Sequence, residues 1–212
     1  MKTLILLFML GLASAKSFGH SGGLDGNGGH LDRSTGLYHC HKDYCSGTIG
    51  ELDGSTYSRD DWRHWSDFDA DCQDSRAEIL IATSRVAVKV RAADNCVVES
   101  GEWLGLYSGE IFRSARDIDI DHVIPLNYAS QNGGFGWDLQ KKEAFANDPL
   151  NLLAVSRKEN RKKGANGPYK YLPIEIYQCF YVKRWLTIAA EYEIVLASED
   201  MEKITEVLDR CE

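Results

Sequence analysis

Proline is scarce in this chain, 4 of 212 residues, and beyond the first fifteen positions no long apolar run occurs. With 19 glycines, no repeat and no second apolar run, the sequence excludes collagen-like, coiled-coil and multi-span membrane architectures. Positive charge is also short: 24 Lys and Arg stand against 32 Asp and Glu, for a net charge of −8. A chain of that sign is repelled by phosphate and by anionic lipid, which argues against a general polyanion binder. What is present is order-promoting. With 43% hydrophobic and 26% charged residues, the length suffices for one sizeable core or two small ones.

The single apolar run, Leu4 to Leu12, follows Met1-Lys2 and precedes Ala13-Ser14-Ala15. A basic start, a short apolar centre and a small-residue cleavage site predict a secretory signal peptide over residues 1–15. The run is well below the roughly 20 apolar residues that a membrane span needs. Cleavage removes one lysine and no acid, so the mature chain is slightly more acidic. Six cysteines remain, Cys40, Cys45, Cys72, Cys96, Cys179 and Cys211. An even number in an exported chain favours disulfides, and the sequence leaves all 15 pairings open. The expected location is the periplasm or the medium.

Residues 16–50 form a distinct N-terminal module or tail, with four of the six histidines, many glycines and almost no apolar residues. Such a stretch has little to bury and reads as loop-rich. Ser46 to Ser58 reads as a linker, and composition becomes globular from Tyr57, giving a domain over 57–212. Spacing predicts a helix from Asp74 to Ser84, strands at Val86–Val90 and Cys96–Val98, and a hairpin around Ser100–Gly109. A strand over Ile118–Ile124 ends at Pro125. Further helices are predicted at Gln140–Ala146, Ser156–Lys163, Ile174–Leu196 and Met201–Leu208, with Ser156 and Glu159 spaced as a capping box. Strands come first and helices later, an α+β order.

The densest chemistry lies between Asp117 and Lys163. Asp119-Ile-Asp121-His122-Val-Ile-Pro125 sets an imidazole beside a carboxylate at a strand end. A neutral His122 can take a proton from water, and Asp121 offers hard oxygen to a divalent cation. Alone, the Asp-His pair is a weak signal and reads first as a structural histidine held by its neighbour. Asn147-Asp-Pro149-Leu150-Asn151 then leads into a strand and a capped helix that would return Asn160 toward Asp121 and His122. That helix carries five basic residues and one acidic one. Cations beside a candidate metal site would hold phosphates.

Asp-His-Val-Ile-Pro, Asn151, and Asn160 nine residues later make the chain resemble HNH (ββα-metal, His-Me finger) endonucleases. It is more closely similar to an exported branch related to the C-terminal domain of GmrSD-type nucleases. Further matches are Asp71-Cys72-Gln73-Asp74-Ser75-Arg76, Cys96 to Trp103, Tyr107-Ser-Gly109, Phe145 to Leu152, Asn160 to Gly164, and the helix from Cys179 to Trp185. The likeness covers about Tyr57 to Leu196. It implies a ββα-metal core with surrounding helices, and hydrolysis of DNA, with RNA left open, at little sequence preference. It implies that His122 is the general base, that Asn151 orients it, and that Asp121 and Asn160 hold one Mg²⁺ or Mn²⁺. Asn160 stands where the family's namesake has histidine. Arg76, Arg161, Lys162 and Lys163 are expected to contact backbone phosphate, with an aspartate ion pair as the other reading of Arg76. Asp119 reads as a solvated carboxylate or a further ligand. His64 reads as a packing or hydrogen-bonding histidine, and Trp62, Trp65 and Trp103 as core aromatics.

His20, His30, His39, Cys40, His41 and Cys45 in the N-terminal module have donors suited to Zn²⁺ or copper. Tyr38-His39-Cys40-His41 resembles small modules at the ends of exported bacterial proteins. The other reading is a tail with a Cys40–Cys45 disulfide. Two functions therefore stand: a nuclease acting on nucleic acid, and an envelope metal-binding protein acting through the module. Neither implies a membrane anchor or a protein partner.

Overall fold

A computed structural model describes residues 57–211 together with two short strands, β1 (Gly29–Asp32) and β2 (Leu37–Cys40). The expected signal peptide, most of the linker, His20, His41 and Cys45 lie outside the described residues. The chain divides into two units, Met1–Gly47 and Thr48–Glu212. In the first, β1 and β2 pair antiparallel without a register shift, so the described part of this glycine-rich stretch is a ribbon rather than bare loop.

The second unit begins with α1 (Ser75–Thr83), whose N-cap Asp74 accepts a hydrogen bond from the Ala77 amide. A three-stranded antiparallel sheet follows, from β3 (Lys89–Val90), β4 (Val98–Gly105) and β5 (Glu110–Ser114) in that order. β6 (Ile118–His122) then pairs antiparallel with the distant β7 (Leu152–Ser156), with Asp121 opposite Leu153 and His122 opposite Leu152. Between them lie α2 (Leu126–Gln131) and α3 (Leu139–Asn147). α2 had no signal in the sequence; six residues behind Pro125 are too few to show helical periodicity. α4 (Arg157–Lys163) leaves β7 directly, its N-cap Ser156 hydroxyl accepting from the Glu159 amide at 3.2 Å. Gly164 stops it at φ +54, a backbone state costly to other residues.

α5 (Glu175–Tyr192) ends where Glu193 takes a left-handed φ of 58°, four residues before the predicted limit, and α6 (Ser198–Leu208) closes the unit. The architecture is α+β. Disulfides join Cys72 to Cys96 and Cys179 to Cys211.

Two hydrophobic clusters sandwich the β6–β7 pair. Ile118, Ile120, Leu152 and Ala154 pack with Ile79 and Leu80 of α1 and with Trp103. Leu153 and Val155, two-residue alternates on the other face, pack with Phe145, Tyr181 and Trp185. A strand pair buried on both faces has nowhere to slip, because a one-residue shift would exchange the sets. That fixes the end of β6, where Asp121 and His122 sit.

Candidate active site

β6, β7 and α4 form a strand–strand–helix unit whose open side is a cleft of about 230 Å³, lined by Arg59, Asp121, His122, Asn160 and Gly164 among others. His122 is 6% exposed, and its Nε2 lies 2.8 Å from the Ala146 carbonyl oxygen. A carbonyl only accepts, so Nε2 carries the proton and Nδ1 is left as the basic nitrogen. Burial is the main force lowering the imidazole pKa, to about 3, with Arg59, Lys163 and His64 adding to it against the Ala146 bond. The ring is therefore neutral at physiological pH.

Asp121 faces the other way. Lys163 Nζ lies 3.0 Å from each of its carboxylate oxygens, and the Tyr107 hydroxyl donates to Oδ2 at 2.8 Å. Lys163 is fully buried and also donates to the His122 carbonyl at 2.9 Å. Burial pushes the carboxyl up and the ammonium down, and each group opposes the other's shift. A carboxylate flanked by an ammonium and a phenol at these distances stays ionised as a pair.

Asn151, wholly buried, acts on the backbone. Its Oδ1 accepts from the Ile124 amide at 2.9 Å, its Nδ2 donates to the Ile124 carbonyl at 3.3 Å, and its own carbonyl accepts from the Val123 amide at 2.8 Å. It thus ties the turn after His122 to the start of β7 and makes no described hydrogen bond to the imidazole. Asn160, on the α4 face toward β6, donates Nδ2 to Asp119 Oδ2 at 3.1 Å, which leaves its side-chain oxygen as a donor to a cation. Asp119 is also 3.5 Å from Arg157, so it is a paired rather than a merely solvated carboxylate. Asp121 and Asn160 present hard oxygen in one cleft, a donor set that fits Mg²⁺ or Mn²⁺.

The family model described as the C-terminal domain of GmrSD restriction endonucleases matches residues 64–207. The chain belongs to that family. A protein of Arthroderma benhamiae, described as an uncharacterized secreted protein, is 33% identical over 165 residues, covering 76% of this chain and 78% of its own length. No solved structure matches. The GmrSD family is described as a restriction endonuclease domain, and its chemistry is nuclease-like hydrolysis. Two disulfides fit an oxidising location. Among the described residues, no helix is long and apolar enough to cross a membrane.

The four residues expected to hold phosphate divide in two. Arg161 and Lys162 are exposed, Lys162 with Glu159 at 3.5 Å and 5.6 Å from the Tyr171 ring centroid. Arg76 instead donates to the Ala115 and Ile118 carbonyls at 3.2 and 2.9 Å, bracing the entry to β6. Lys163 is spent on Asp121 and has no exposed surface for a phosphate. The charge run concealed this, although Lys163 stands three residues after Asn160 and so shares its helix face.

Sequence reasoning also missed the roof of the site. Trp65 stacks near His122 with ring centroids 5.8 Å apart and planes 29° from parallel, and His64 lies edge-on at 6.3 Å. His64 Nδ1 donates to the Trp62 carbonyl at 3.0 Å, so it does make a hydrogen bond, and one beside the His122 ring. Trp65 holds a left-handed φ of 62°, rare for a bulky residue. Asn147 holds this segment: its Oδ1 accepts from the Ser66 amide at 2.8 Å, and its Nδ2 donates to the Arg63 and Glu143 carbonyls at 2.9 and 2.8 Å. Asn147 follows Ala146, so one short stretch positions both the imidazole's acceptor and its aromatic cover. Trp62 and Trp103 are core residues, each 1% exposed. Elsewhere, Asp67, Asp69 and Asp71 bring carboxylate oxygens within 4.8 Å of one another on the surface ahead of α1.

Proposed function

We propose that the chain is an exported, divalent-cation-dependent endonuclease of the HNH (ββα-metal) type, hydrolysing phosphodiester bonds of DNA with little base selectivity. The observation that carries this reading is the 2.8 Å contact of His122 Nε2 with the Ala146 carbonyl oxygen. The ring proton is committed to Ala146, so a neutral Nδ1 stands in the cleft that also holds Asp121 and Asn160.

The geometry supports the following roles. Nδ1 of His122 takes the proton of a water as its oxygen attacks phosphorus, and the bond to the leaving 3′-oxygen breaks. Asn151 fixes the His122–Ile124 turn, and Ala146 and Trp65 hold the ring. Asp121 and Asn160 would hold Mg²⁺ or Mn²⁺, which when bound supplies charge stabilisation at the scissile phosphate and the leaving oxygen. Lys163 already neutralises Asp121, so the cation would be held weakly until phosphate oxygens complete its shell. Arg59, in the cleft and without an ion pair among the described residues, is placed to meet a phosphate. Arg161 and Lys162 would follow the backbone, contacts that position nucleic acid without reading its sequence.

The test is digestion of plasmid DNA and of a folded RNA with Mg²⁺ or Mn²⁺, with EDTA, and with His122→Ala. Cleavage should require the cation and fall about 10²- to 10⁴-fold in the variant. Full activity in His122→Ala would sink the mechanism, and no cleavage with any divalent ion would sink the function. Faster cleavage of RNA would reassign the substrate. The competing reading, metal binding in the envelope through the N-terminal module, leaves the cleft without a purpose.

A further inference from the structure

A second cavity, of about 310 Å³, shares two walls with the cleft. On α2, Leu126 lines the cleft and Tyr128 the cavity. After α4, Gly164 lines the cleft, while Ala165, Asn166 and Gly167 line the cavity. Consecutive Cα atoms stand about 3.8 Å apart, so at Gly164 the two spaces are separated by little more than the chain itself. Gly164 has no side chain to raise that partition.

The cavity is lined by Asp200, which stands in the first turn of α6 and is 4% exposed. It lies against Gly167, where any side chain would collide with the carboxylate, so only a glycine lets the loop pack this closely. Asp200 Oδ2 accepts from the Tyr128 hydroxyl at 2.7 Å, and Oδ1 from the Tyr169 amide at 2.8 Å. Among the described residues the carboxylate has no other hydrogen bond and no cation partner. A carboxylate has about four acceptor positions, so about two remain, and unmet acceptors in a buried group are costly. Asn132 adds another acceptor: its Nδ2 is spent on the Tyr128 carbonyl at 2.8 Å, which leaves Oδ1 free. Lys170 and the Tyr169 ring also line the cavity and are exposed. The set is thus a buried floor of acceptors with one ammonium and one aromatic face nearer to solvent.

A ligand that answers this set is flat, with two adjacent N–H donors on one edge and an acceptor beside them. Among the nucleobases guanine alone offers this, through N1–H, its exocyclic amino group and O6. That edge is the Watson–Crick edge, which proteins read on unstacked, unpaired bases. We propose that the cavity is a guanine subsite, seating an unpaired guanine next to the phosphate that is cut. The proposal rests on the nuclease reading of the cleft. The Asp200 carboxylate accepts from N1–H and the amino group, Lys170 donates to O6, and the base stacks on Tyr169. A guanine held by this edge cannot be paired, so the substrate is single-stranded or looped at that nucleotide. The subsite adds a preference at one position to phosphate contacts that carry none.

The experiment titrates the purified full chain, in chelator, with guanosine, inosine, adenosine and cytidine. Nucleosides carry no phosphate, so the cations of the cleft do not contribute. Guanosine should bind about tenfold or more tighter than each of the others, inosine included, which lacks only the amino group. Tyr169→Ala should weaken all four by about tenfold, since stacking does not distinguish bases. Asp200→Asn should erase the preference for guanosine, with its fold checked by thermal unfolding. With Mg²⁺, an end-labelled single strand should be cut mainly beside guanines, and annealing it to its complement should remove that bias. Absence of all cleavage would sink the nuclease reading, while the nucleoside titration would still decide the cavity. The proposal is overturned if guanosine does not bind, if inosine binds as tightly, if folded Asp200→Asn keeps the preference, or if the cuts ignore guanine. Should Asp200→Asn fail to fold, the inosine comparison on the unaltered chain decides.

Discussion

Asp121 and His122 are neighbours on one strand, yet they live on opposite faces with opposite electrostatics. Asp121 is a buried charge held by another buried charge, Lys163, and by the Tyr107 hydroxyl. His122 is buried as a neutral ring, tied to a backbone carbonyl and covered by Trp65. A strand makes this separation automatically, since consecutive residues alternate across it. The imidazole is thus spared the proton-stabilising influence of the adjacent carboxylate, and in the proposed mechanism one dipeptide would supply both a cation ligand and a free base.

Breaking the Asp121 side should have the largest effect on stability. Lys163→Met leaves a carboxylate that is 5% exposed without its counter-charge, and should cost about 3–5 kcal/mol in urea unfolding. Asp121→Asn combined with Lys163→Met should recover much of that loss, because no charge then remains buried. A double variant as unstable as the single one would show that Lys163 acts by packing rather than by charge.

The His122 side should reveal itself through pH. In chelator, the folded pKa of about 3 lies below the unfolded value near 6.5. Between these limits the unfolded chain binds a proton that the folded chain refuses, so stability falls as pH drops through that window. His122→Ala should flatten the dependence between pH 6 and 4 by up to about 1.4 kcal/mol per unit. An unchanged slope would mean that the ring is not buried neutral.

The smallest effect is expected outside both faces. Arg161→Ala with Lys162→Ala should weaken DNA binding evenly across sequences and reduce the log–log salt slope by about 1.8. His122→Ala should leave that slope alone. A double variant with the full slope would remove these two residues from the phosphate path.

Legibility followed the range of the interactions. Asp121, His122, Asn151 and Asn160 stand in short segments with fixed spacing, so the strand–strand–helix unit could be read from them. The cap of α4 was also local and therefore readable. Trp65 and Ala146 reach His122 only through folding, and no periodicity announces a tryptophan 57 residues upstream. Lys163 was visible but assigned to backbone phosphate, because a run of basic residues hides which one the helix turns inward. Arg76 was misplaced for a related reason: a guanidinium suits a phosphate and a pair of backbone carbonyls equally well, and only the fold chooses. The cysteine pairings needed the same three-dimensional information.

The two disulfides leave the chain from Val97 to Gln178 uncrossed, the span that holds β6, β7 and α4. They fasten what flanks it: the loop before α1 to the approach to β4, and α5 to the end of α6. Loops of 24 and 32 residues each remove about 3–4 kcal/mol of chain entropy from the unfolded ensemble in the loop-closure account. Reduction should therefore shorten the working lifetime of the protein among proteases, by making opening of the flanks more frequent, before it alters a single turnover.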